Sequence, residues 1–140
     1  MLRLPHGRIA QSLARKLTAH ERRRAARLIG ERVRTRRPLA YLLKEAWLGE
    51  HRFYVDERVI VPRSFIAELL RDRLAPWISR PMEVRRALDL CTGSGCLAIL
   101  LALAFPGATV DATDVSRSAL AVARRNLRAY GLGKDRKSVV

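Results

Sequence analysis

Apolar and polar residues alternate along the second half of the chain in a way that predicts strands and helices in turn. Arg86–Leu90 has the pattern of a short strand, Cys96–Ala104 is apolar on nearly every side, and residues 108–113 again resemble a strand. Ser116 can cap a further helix. This order predicts the start of a doubly wound parallel sheet, with the Cys96–Ala104 helix buried against it.

The first forty residues have the spacing of helices. Ile9, Leu13 and Leu17 recur every four residues, which predicts a short amphipathic helix. Thr18 and Glu21 then form a capping box, the signature of a helix start. The apolar face of this second helix is formed by Ala25, Leu28, Ile29 and Val33. We therefore predict a small helical arm.

The middle of the chain predicts a β-hairpin and a connecting helix. Gly49 is a turn signal, and residues 52–55 are aromatic and β-branched types that favour a strand. Ser64 can cap a helix that ends near Pro76, and Pro81 marks the boundary with the sheet-forming unit.

These patterns divide the chain into four parts. We predict an incomplete helical arm at residues 1–44, the hairpin and its helix at 45–81, and the first half of a sheet domain at 82–134. Two parallel strands leave unpaired edges, so we expect further chain beyond the C-terminus. For residues 135–140 we favour a non-native tail, because DRKSVV is what a common sequencing adapter encodes; alternatively, residues 137–140 begin the next strand.

Positive charge is concentrated near the N-terminus. The net charge is +15, and residues 1–40 hold 12 of the 28 Lys and Arg residues but only two of the 13 Asp and Glu residues. A basic arm of this kind attracts RNA or a ribonucleoprotein surface. A solvated Arg-rich helix face would have the same composition, so both interpretations stay open.

The remaining composition argues against several classes of protein. The spacing of the two cysteines and three histidines indicates neither a metal site nor a disulfide scaffold. The N-terminus lacks the apolar core of a secretory signal, and residues 97–105 are about half the length needed to span a bilayer. We expect a cytoplasmic protein with no metal and no membrane partner, and we expect Cys91 and Cys96 to be buried.

A glycine loop lies between the first predicted strand of the sheet and its helix. Its sequence is DLCTGSGC, residues 89–96. Glycines let the backbone turn sharply and approach a ligand, a helix N-terminus offers free amides, and an acid after the next strand can bind ribose hydroxyls. Gly93, Gly95 and Asp114 meet these needs.

The glycines alone leave the ligand open. Residues 93–98 also fit the G-x-G-x-x-A form of a dinucleotide fingerprint. Asp89 favours S-adenosylmethionine over nicotinamide dinucleotide, because an acid can face the cationic amino end of the former but would repel a pyrophosphate. A tight turn that binds nothing is the third possibility.

Two separated motifs resemble one family of enzymes. The stretches FYVDERVIVPRS (residues 53–64) and IAEL (residues 66–69), followed by DLCTGSGC, closely resemble the protein-glutamine methyltransferases, specifically the branch that modifies a ribosomal protein. The branch that methylates release factors is less similar, since it has a glycine where Cys91 stands. Phe65 departs from the pattern, because the first branch normally has proline there.

The resemblance implies a cofactor and its contacts. The methionine and ribose end of S-adenosylmethionine would be lined by Asp89, Cys91, Thr92, Gly93, Ser94 and Gly95, and Asp114 would hold the ribose hydroxyls. Pro62 and Arg63 would lie near the mouth of the substrate slot; an ion pair from Arg63 to the domain is an equal alternative. The Asn-Pro-Pro-Tyr motif that supplies the family's acceptors for the amide hydrogens is absent from these 140 residues, so no catalytic residue is named.

The predicted fold class is therefore α/β: a partial Rossmann-like S-adenosylmethionine-dependent methyltransferase fold preceded by a small helical arm and a β-hairpin. The implied reaction is methylation of a glutamine side-chain amide in a large-subunit ribosomal protein, with a ribosome assembly intermediate or RNA as a further partner of the arm. We expect this chain alone to bind the cofactor weakly and to be inactive. The alternatives are a release-factor glutamine methyltransferase, a nucleic-acid adenine methyltransferase, and a basic ribosome- or RNA-binding module without catalysis.

Overall fold

The computed structural model describes residues 14–132 and 138–139. The helix predicted over residues 9–17 lies largely outside this part of the chain, and Leu17 itself is not helical.

The first described helix, α1 (Ala19–Thr35), begins with the predicted capping box. The Thr18 hydroxyl accepts a hydrogen bond from the Glu21 amide at 3.2 Å, and the Glu21 carboxylate accepts one from the Thr18 amide at 2.9 Å. The Thr18 amide and the Arg15 guanidinium, which lies 2.6 Å from Glu21 Oε1, lower the pKa of Glu21 to about 2. The start of α1 is thus fixed by local sequence alone.

The arm is attached to the rest of the protein near its C-terminal end. Helix α1 contains no buried residue, and the short helix α2 (Leu39–Leu43) follows it. The Tyr41 hydroxyl donates to the Val59 carbonyl at 2.7 Å, and Arg37 forms an ion pair with Glu57. Most of α1 therefore faces solvent.

The predicted hairpin is confirmed. Strands β1 (Ala46–Leu48) and β2 (His51–Phe53) pair in antiparallel fashion, and Gly49 in the turn has φ +60°. Phe53 is buried and stacks on Tyr130 with 5.5 Å between ring centroids. The hairpin therefore packs against the end of the chain's last described helix.

The connecting helix is shorter than predicted. Helix α3 (Ile66–Arg71) has Phe65 as its N-cap, without a side-chain capping hydrogen bond, so the predicted cap at Ser64 lies one residue too early. Ser64 Oγ does accept a hydrogen bond from the Ile66 amide at 3.2 Å. The helix ends at Arg71, not near Pro76, because Arg73 and Leu74 have φ values of +52° and +59° that cannot continue a helix.

The predicted βαβα order is confirmed, after a 3₁₀ turn at Pro81–Glu83. Its four elements are β3 (Arg86–Leu90), α4 (Cys96–Ala104), β4 (Thr109–Thr113) and α5 (Arg117–Ala129), and a short strand β5 (Ser138–Val139) follows. The three strands are parallel in the order β3-β4-β5. The predicted cap of α5 is also present, since Ser116 Oγ accepts a hydrogen bond from the Ala119 amide at 3.2 Å.

Strand β5 lies within residues 135–140, the segment predicted to be a non-native tail. β5 pairs in parallel with Val110 and Asp111 of β4, as the alternative in which residues 137–140 begin a strand requires. The non-native origin of residues 135–140 stays a prediction.

The two faces of the sheet differ in burial. Val110 and Ala112 pack with Ala98 of α4 in a buried cluster. Because side chains alternate along a strand, Leu88 and Leu90 point to the opposite face, where they are 56% and 67% exposed. Helix α4 thus covers one face of β3 and β4, as predicted.

The main core joins the hairpin unit and the sheet unit. Its buried residues are Leu48, Phe53, Leu70, Cys96, Ile99, Leu100, Phe105, Leu127 and Leu132. They come from β1, β2, α3, α4 and the end of α5, so the two units share one hydrophobic cluster; the domain boundaries given above stay predictions. No helix within the described ranges is long and apolar enough to cross a bilayer.

A buried carboxylate organises the segment after the hairpin. Asp56 accepts hydrogen bonds from the Arg58 guanidinium at 2.6 and 2.9 Å, from the Arg58 amide at 3.1 Å and from the Tyr54 hydroxyl at 2.8 Å. The Arg58 guanidinium holds the pKa of Asp56 well below its usual range, although burial opposes this. Asp56 therefore serves the structure of residues 54–58.

We expect Asp56→Asn to lower the free energy of unfolding by about 2 kcal/mol at pH 7, because a neutral amide cannot accept all of these hydrogen bonds. A lowered pKa means that the carboxylate stabilises the fold above its ordinary pKa of 3.8 and loses this effect as the pH falls. The variant should thus lose less stability on acidification than the wild type. Urea unfolding followed by tryptophan fluorescence at pH 7 and at about pH 2.5, below the ordinary pKa of the carboxyl, measures both effects; Asp72→Asn, at an exposed carboxylate, is the control. Equal acid sensitivity of Asp56→Asn and wild type would contradict this role.

Candidate functional site

The glycine loop has an unusual backbone. Cys91, Gly93 and Gly95 have φ values of +58°, +54° and +77°. The Thr92 amide donates to the Thr113 carbonyl at 2.9 Å and the Gly95 amide donates to the Thr92 carbonyl at 2.8 Å. The loop therefore leaves β3 beside the end of β4 and turns tightly into α4.

The buried carboxylate of Asp89 stabilises the glycine loop through hydrogen bonds. Its Oδ2 accepts hydrogen bonds from the Thr92 hydroxyl at 2.6 Å and from the Ala98 amide at 3.0 Å. Burial raises the pKa of Asp89, and the charge of Asp114 adds to this effect. The other oxygen, Oδ1, has no hydrogen-bond partner among the residues that the structure describes.

Asp114 joins the end of β4 to the loop. Its Oδ2 accepts a hydrogen bond from the Gly93 amide and its Oδ1 one from the Ser116 amide, both at 2.9 Å. The structure thus brings the predicted ribose-binding acid to the predicted loop. Each carboxylate oxygen can accept a second hydrogen bond, so these contacts leave acceptor capacity for a ligand.

The loop side chains are divided between interior and surface. Thr92 and Ser94 are buried, whereas Cys91 is exposed. The prediction that both cysteines are buried is therefore wrong for Cys91, because β3 ends at Leu90 and the left-handed backbone at position 91 breaks the alternation of the strand. Cys96 is buried as expected, and burial raises the pKa of its thiol.

Pro62 and Arg63 follow the segment organised by Asp56. Pro62 is buried and Arg63 is exposed. Within residues 14–132, Arg63 forms no ion pair, so the alternative in which it ties the hairpin to the domain has no support here. The structure likewise gives it no hydrogen bond to the glycine loop, and its place near a substrate slot stays a prediction.

Asn126 of α5 was not anticipated from the sequence. It is 1% exposed, and its Nδ2 donates to the Ser94 carbonyl at 2.8 Å and to the Tyr54 carbonyl at 3.0 Å. Its Oδ1 accepts from the Tyr54 amide at 2.8 Å. A sequence signal existed, because position 126 lies beside Leu127 on the apolar side of the helix, where a lone polar residue needs a buried partner.

Helix α5 packs closely against the loop at Gly95. A Cβ atom at this position would lie 3.0 Å from Ala123 Cβ and 3.1 Å from Ala123 Cα. Glycine is thus required at position 95 by the close packing as well as by its positive φ.

The side chains beside the glycine loop make the site acidic. Two carboxylates, Asp89 and Asp114, flank the loop, and the described residues contain no group of three or more His, Cys, Asp or Glu side chains that could hold a metal ion. The arrangement can accept hydrogen bonds from a diol and can attract a cationic group.

Comparison with known proteins identifies the class of protein to which the parallel βαβα unit and its glycine loop belong. The family model described as methyltransferase small domain matches residues 67–138. This chain therefore belongs to the methyltransferase small domain family, and its fold is a partial Rossmann-like methyltransferase fold.

Individual relatives are more specific. The chain is 60% identical to the ribosomal protein uL3 glutamine methyltransferase of Bordetella pertussis, over 94% of this chain and 44% of that protein. It is 55% identical to the protein of the same name from Burkholderia pseudomallei, over 94% of this chain and 43% of that protein. The chain thus spans less than half the length of these curated relatives. A solved structure of a human methyltransferase 10 domain containing protein matches 62% of this chain and 40% of its own with a TM-score of 0.45 and 22% identity; similarity at that level does not establish a shared fold.

We expect Gly95→Ala to lower the free energy of unfolding by at least about 2 kcal/mol, because the added methyl meets Ala123 and the backbone keeps a positive φ. Chemical denaturation followed by circular dichroism measures the loss. Gly107→Ala is the matched control: its Cβ would lie 3.9 Å from Arg85 Nη1, and we expect a change below about 1 kcal/mol. Equal effects of the two substitutions would show that α5 does not pack on the loop as described.

Proposed function

We propose that the glycine loop binds S-adenosylmethionine and that this chain supplies the methyl-donor site of an enzyme that methylates the side-chain amide of a glutamine in the ribosomal protein uL3. In this proposal Asp89 and the backbone of residues 91–95 contact the methionine and ribose end of the cofactor, and Asp114 accepts hydrogen bonds from the ribose hydroxyls. Such an enzyme would act in the cytoplasm, where ribosomes are assembled.

The observation that carries the proposal is the pair of acids beside the loop. Asp114 contacts Gly93 directly, and it is near enough to Asp89 to raise the pKa of that carboxyl. S-adenosylmethionine carries a sulfonium and an ammonium group, which two carboxylates attract. A dinucleotide would instead bring its pyrophosphate to the same loop, where the acids repel it. The electrostatics therefore favour the methyl donor.

The proposed acceptor rests on similarity. Relatives at 55–60% identity bear the name ribosomal protein uL3 glutamine methyltransferase, which favours this substrate over a release factor or a nucleic-acid adenine. A glutamine amide nitrogen is a weak nucleophile because its lone pair is delocalised. Catalysis would depend on alignment of the amide with the sulfonium methyl and on acceptors for the amide hydrogens. We assign no residue of this chain to that role.

We expect S-adenosylmethionine to shift the amide resonances of Gly93 and Gly95 in ¹⁵N spectra of the chain, with a dissociation constant above about 100 µM. The affinity is weak because the proposed contacts cover only one end of the cofactor. Asp114→Asn should weaken binding about tenfold, since it removes a charge-assisted acceptor. Titration to about 5 mM ligand makes an affinity of this order measurable.

The matched control is Asp111→Asn, which removes a carboxylate of β4, the strand that precedes Asp114; Asp111 pairs with Arg86 at 2.9 Å. It should leave the ligand affinity unchanged. Nicotinamide dinucleotide should not shift the loop resonances. Shifts confined to other parts of the chain, or equal affinities of the Asp114 and Asp111 variants, would argue against the proposed site.

A second proposed function belongs to the arm. Arg23, Arg27 and Arg34 are exposed and form no ion pair within the described residues. At about 3.6 residues per turn they lie along one side of α1, opposite Ala25 and Ile29. A row of unpaired guanidinium groups on a solvent-exposed helix suits the phosphates of RNA, and we propose that this arginine row contacts ribosomal RNA near the substrate protein.

We expect RNA binding by the chain to weaken steeply with salt. Replacing the arginine row by glutamine should reduce the slope of log K against log salt by about 2 to 3, because each phosphate contact contributes about 0.7 to 0.9. Fluorescence anisotropy of a labelled ribosomal RNA fragment at several salt concentrations gives the slope.

The control removes the same charge elsewhere, at the exposed residues Arg85, Arg117 and Arg128. If both triple variants change the slope equally, the arginine row has no special role. Displacement of the RNA by polyglutamate at equal charge concentration would indicate a general preference for acidic polymers instead.

A further inference from the structure

One buried side chain connects the glycine loop to the segment that precedes Pro62 and Arg63. Asn126 contacts Ser94 in the loop and Tyr54 at the end of the hairpin. Tyr54 and Asn126 are 72 positions apart in the sequence. Joining distant segments in this way needs a residue whose donors and acceptor point in different directions, and a carboxamide meets that need.

The three hydrogen bonds use the carboxamide in a defined orientation. Oδ1 accepts a hydrogen bond from the Tyr54 amide, and one Nδ2 hydrogen is donated to the Tyr54 carbonyl. The backbone of a neighbouring β-strand would make the same pair of hydrogen bonds. The other hydrogen is donated to the Ser94 carbonyl. Because one planar group makes all three contacts, a shift of the Ser94 carbonyl must either break a hydrogen bond or displace Tyr54.

The segment after Tyr54 is held as a unit. Asp56 binds Arg58 and the Tyr54 hydroxyl, its carbonyl accepts from the Val59 amide at 3.1 Å, and the Val59 carbonyl accepts from the Tyr41 hydroxyl. In addition, the Arg125 guanidinium lies 3.5 Å from the centroid of the Tyr54 ring. A displacement of Tyr54 is therefore transmitted along residues 54–59 rather than absorbed by a loose chain.

We propose that Asn126 is a positioning residue that couples the geometry of the glycine loop to the segment of residues 54–59, which leads to Pro62 and Arg63. Given the proposed function, this means that occupation of the methyl-donor site sets the position of the segment that leads to the residues proposed to lie near the substrate. The assignment of the loop to the methyl donor and of Pro62 and Arg63 to the substrate rests on that proposal. The coupling itself can be measured without any ligand.

The coupling is tested by hydrogen exchange at the Tyr54 amide. Thr92→Val perturbs the loop, because it removes the hydroxyl that donates to Asp89. In the wild-type background we expect it to speed exchange at Tyr54 about tenfold, within the range of coupling between residues in one network. In the Asn126→Asp background the same change should have no effect on Tyr54. Asp keeps an acceptor for the Tyr54 amide but cannot donate to the two carbonyls, so the readout separates loss of the link from loss of the amide's own hydrogen bond.

Two further variants guard against a purely structural explanation. Asn126→Ala removes the link without introducing a charge and should also abolish the response, which covers the case in which the Asp variant does not fold. Leu127→Ala truncates a buried residue of the same helix whose hydrophobic cluster does not include Tyr54, Val55 or Val59. It should lower stability but leave the response of Tyr54 to Thr92→Val intact. A response that survives without Asn126, or one that is missing from the wild type, would overturn the proposal.

A separate titration with S-adenosylmethionine distinguishes the two proposals. Slower exchange at Tyr54 on addition of ligand, seen with Asn126 but not with the Asp or Ala variant, is the expected result. If the ligand has no effect on any loop amide while the Thr92→Val response depends on Asn126, the proposed cofactor is wrong and the coupling stands.

Discussion

Close packing of helix α5 against the glycine loop is the constraint on which the rest of the site depends. Without a side chain at Gly95, the backbone of Ala123 comes near enough for the next turn of the helix to bring Asn126 to the Ser94 carbonyl. That contact in turn fixes Tyr54 and the hairpin. A single missing Cβ atom thus allows a helix, a loop and a hairpin from distant parts of the sequence to meet at one point.

The two acids of the site have different relations to the fold. Asp89 is buried and uses one oxygen to close the turn into α4, whereas Asp114 is partly exposed and connects two neighbouring backbone segments. Both carboxylates therefore stabilise the fold in the absence of a ligand. A site whose charged groups are already held by hydrogen bonds needs little rearrangement to bind a cation, which lowers the entropic cost of binding.

The local features of the structure could be predicted from the sequence, and the features that depend on distant contacts could not. The capping box at Thr18, the hairpin turn at Gly49 and the bounds of β3 and α4 follow from neighbouring residues, and all are confirmed. The early end of α3 at Arg71 was missed because the left-handed residues that follow it carry no glycine or proline signal. The role of Asn126 was missed because its partners lie 32 and 72 positions away.

The backbone at Cys91 has a practical consequence. The chain contains two cysteines, and only this one is exposed, at the rim of the glycine loop. A thiol-reactive fluorophore would therefore attach at a single known place without any engineered substitution. The wild-type sequence carries its own attachment point for a spectroscopic reporter beside the site it would monitor.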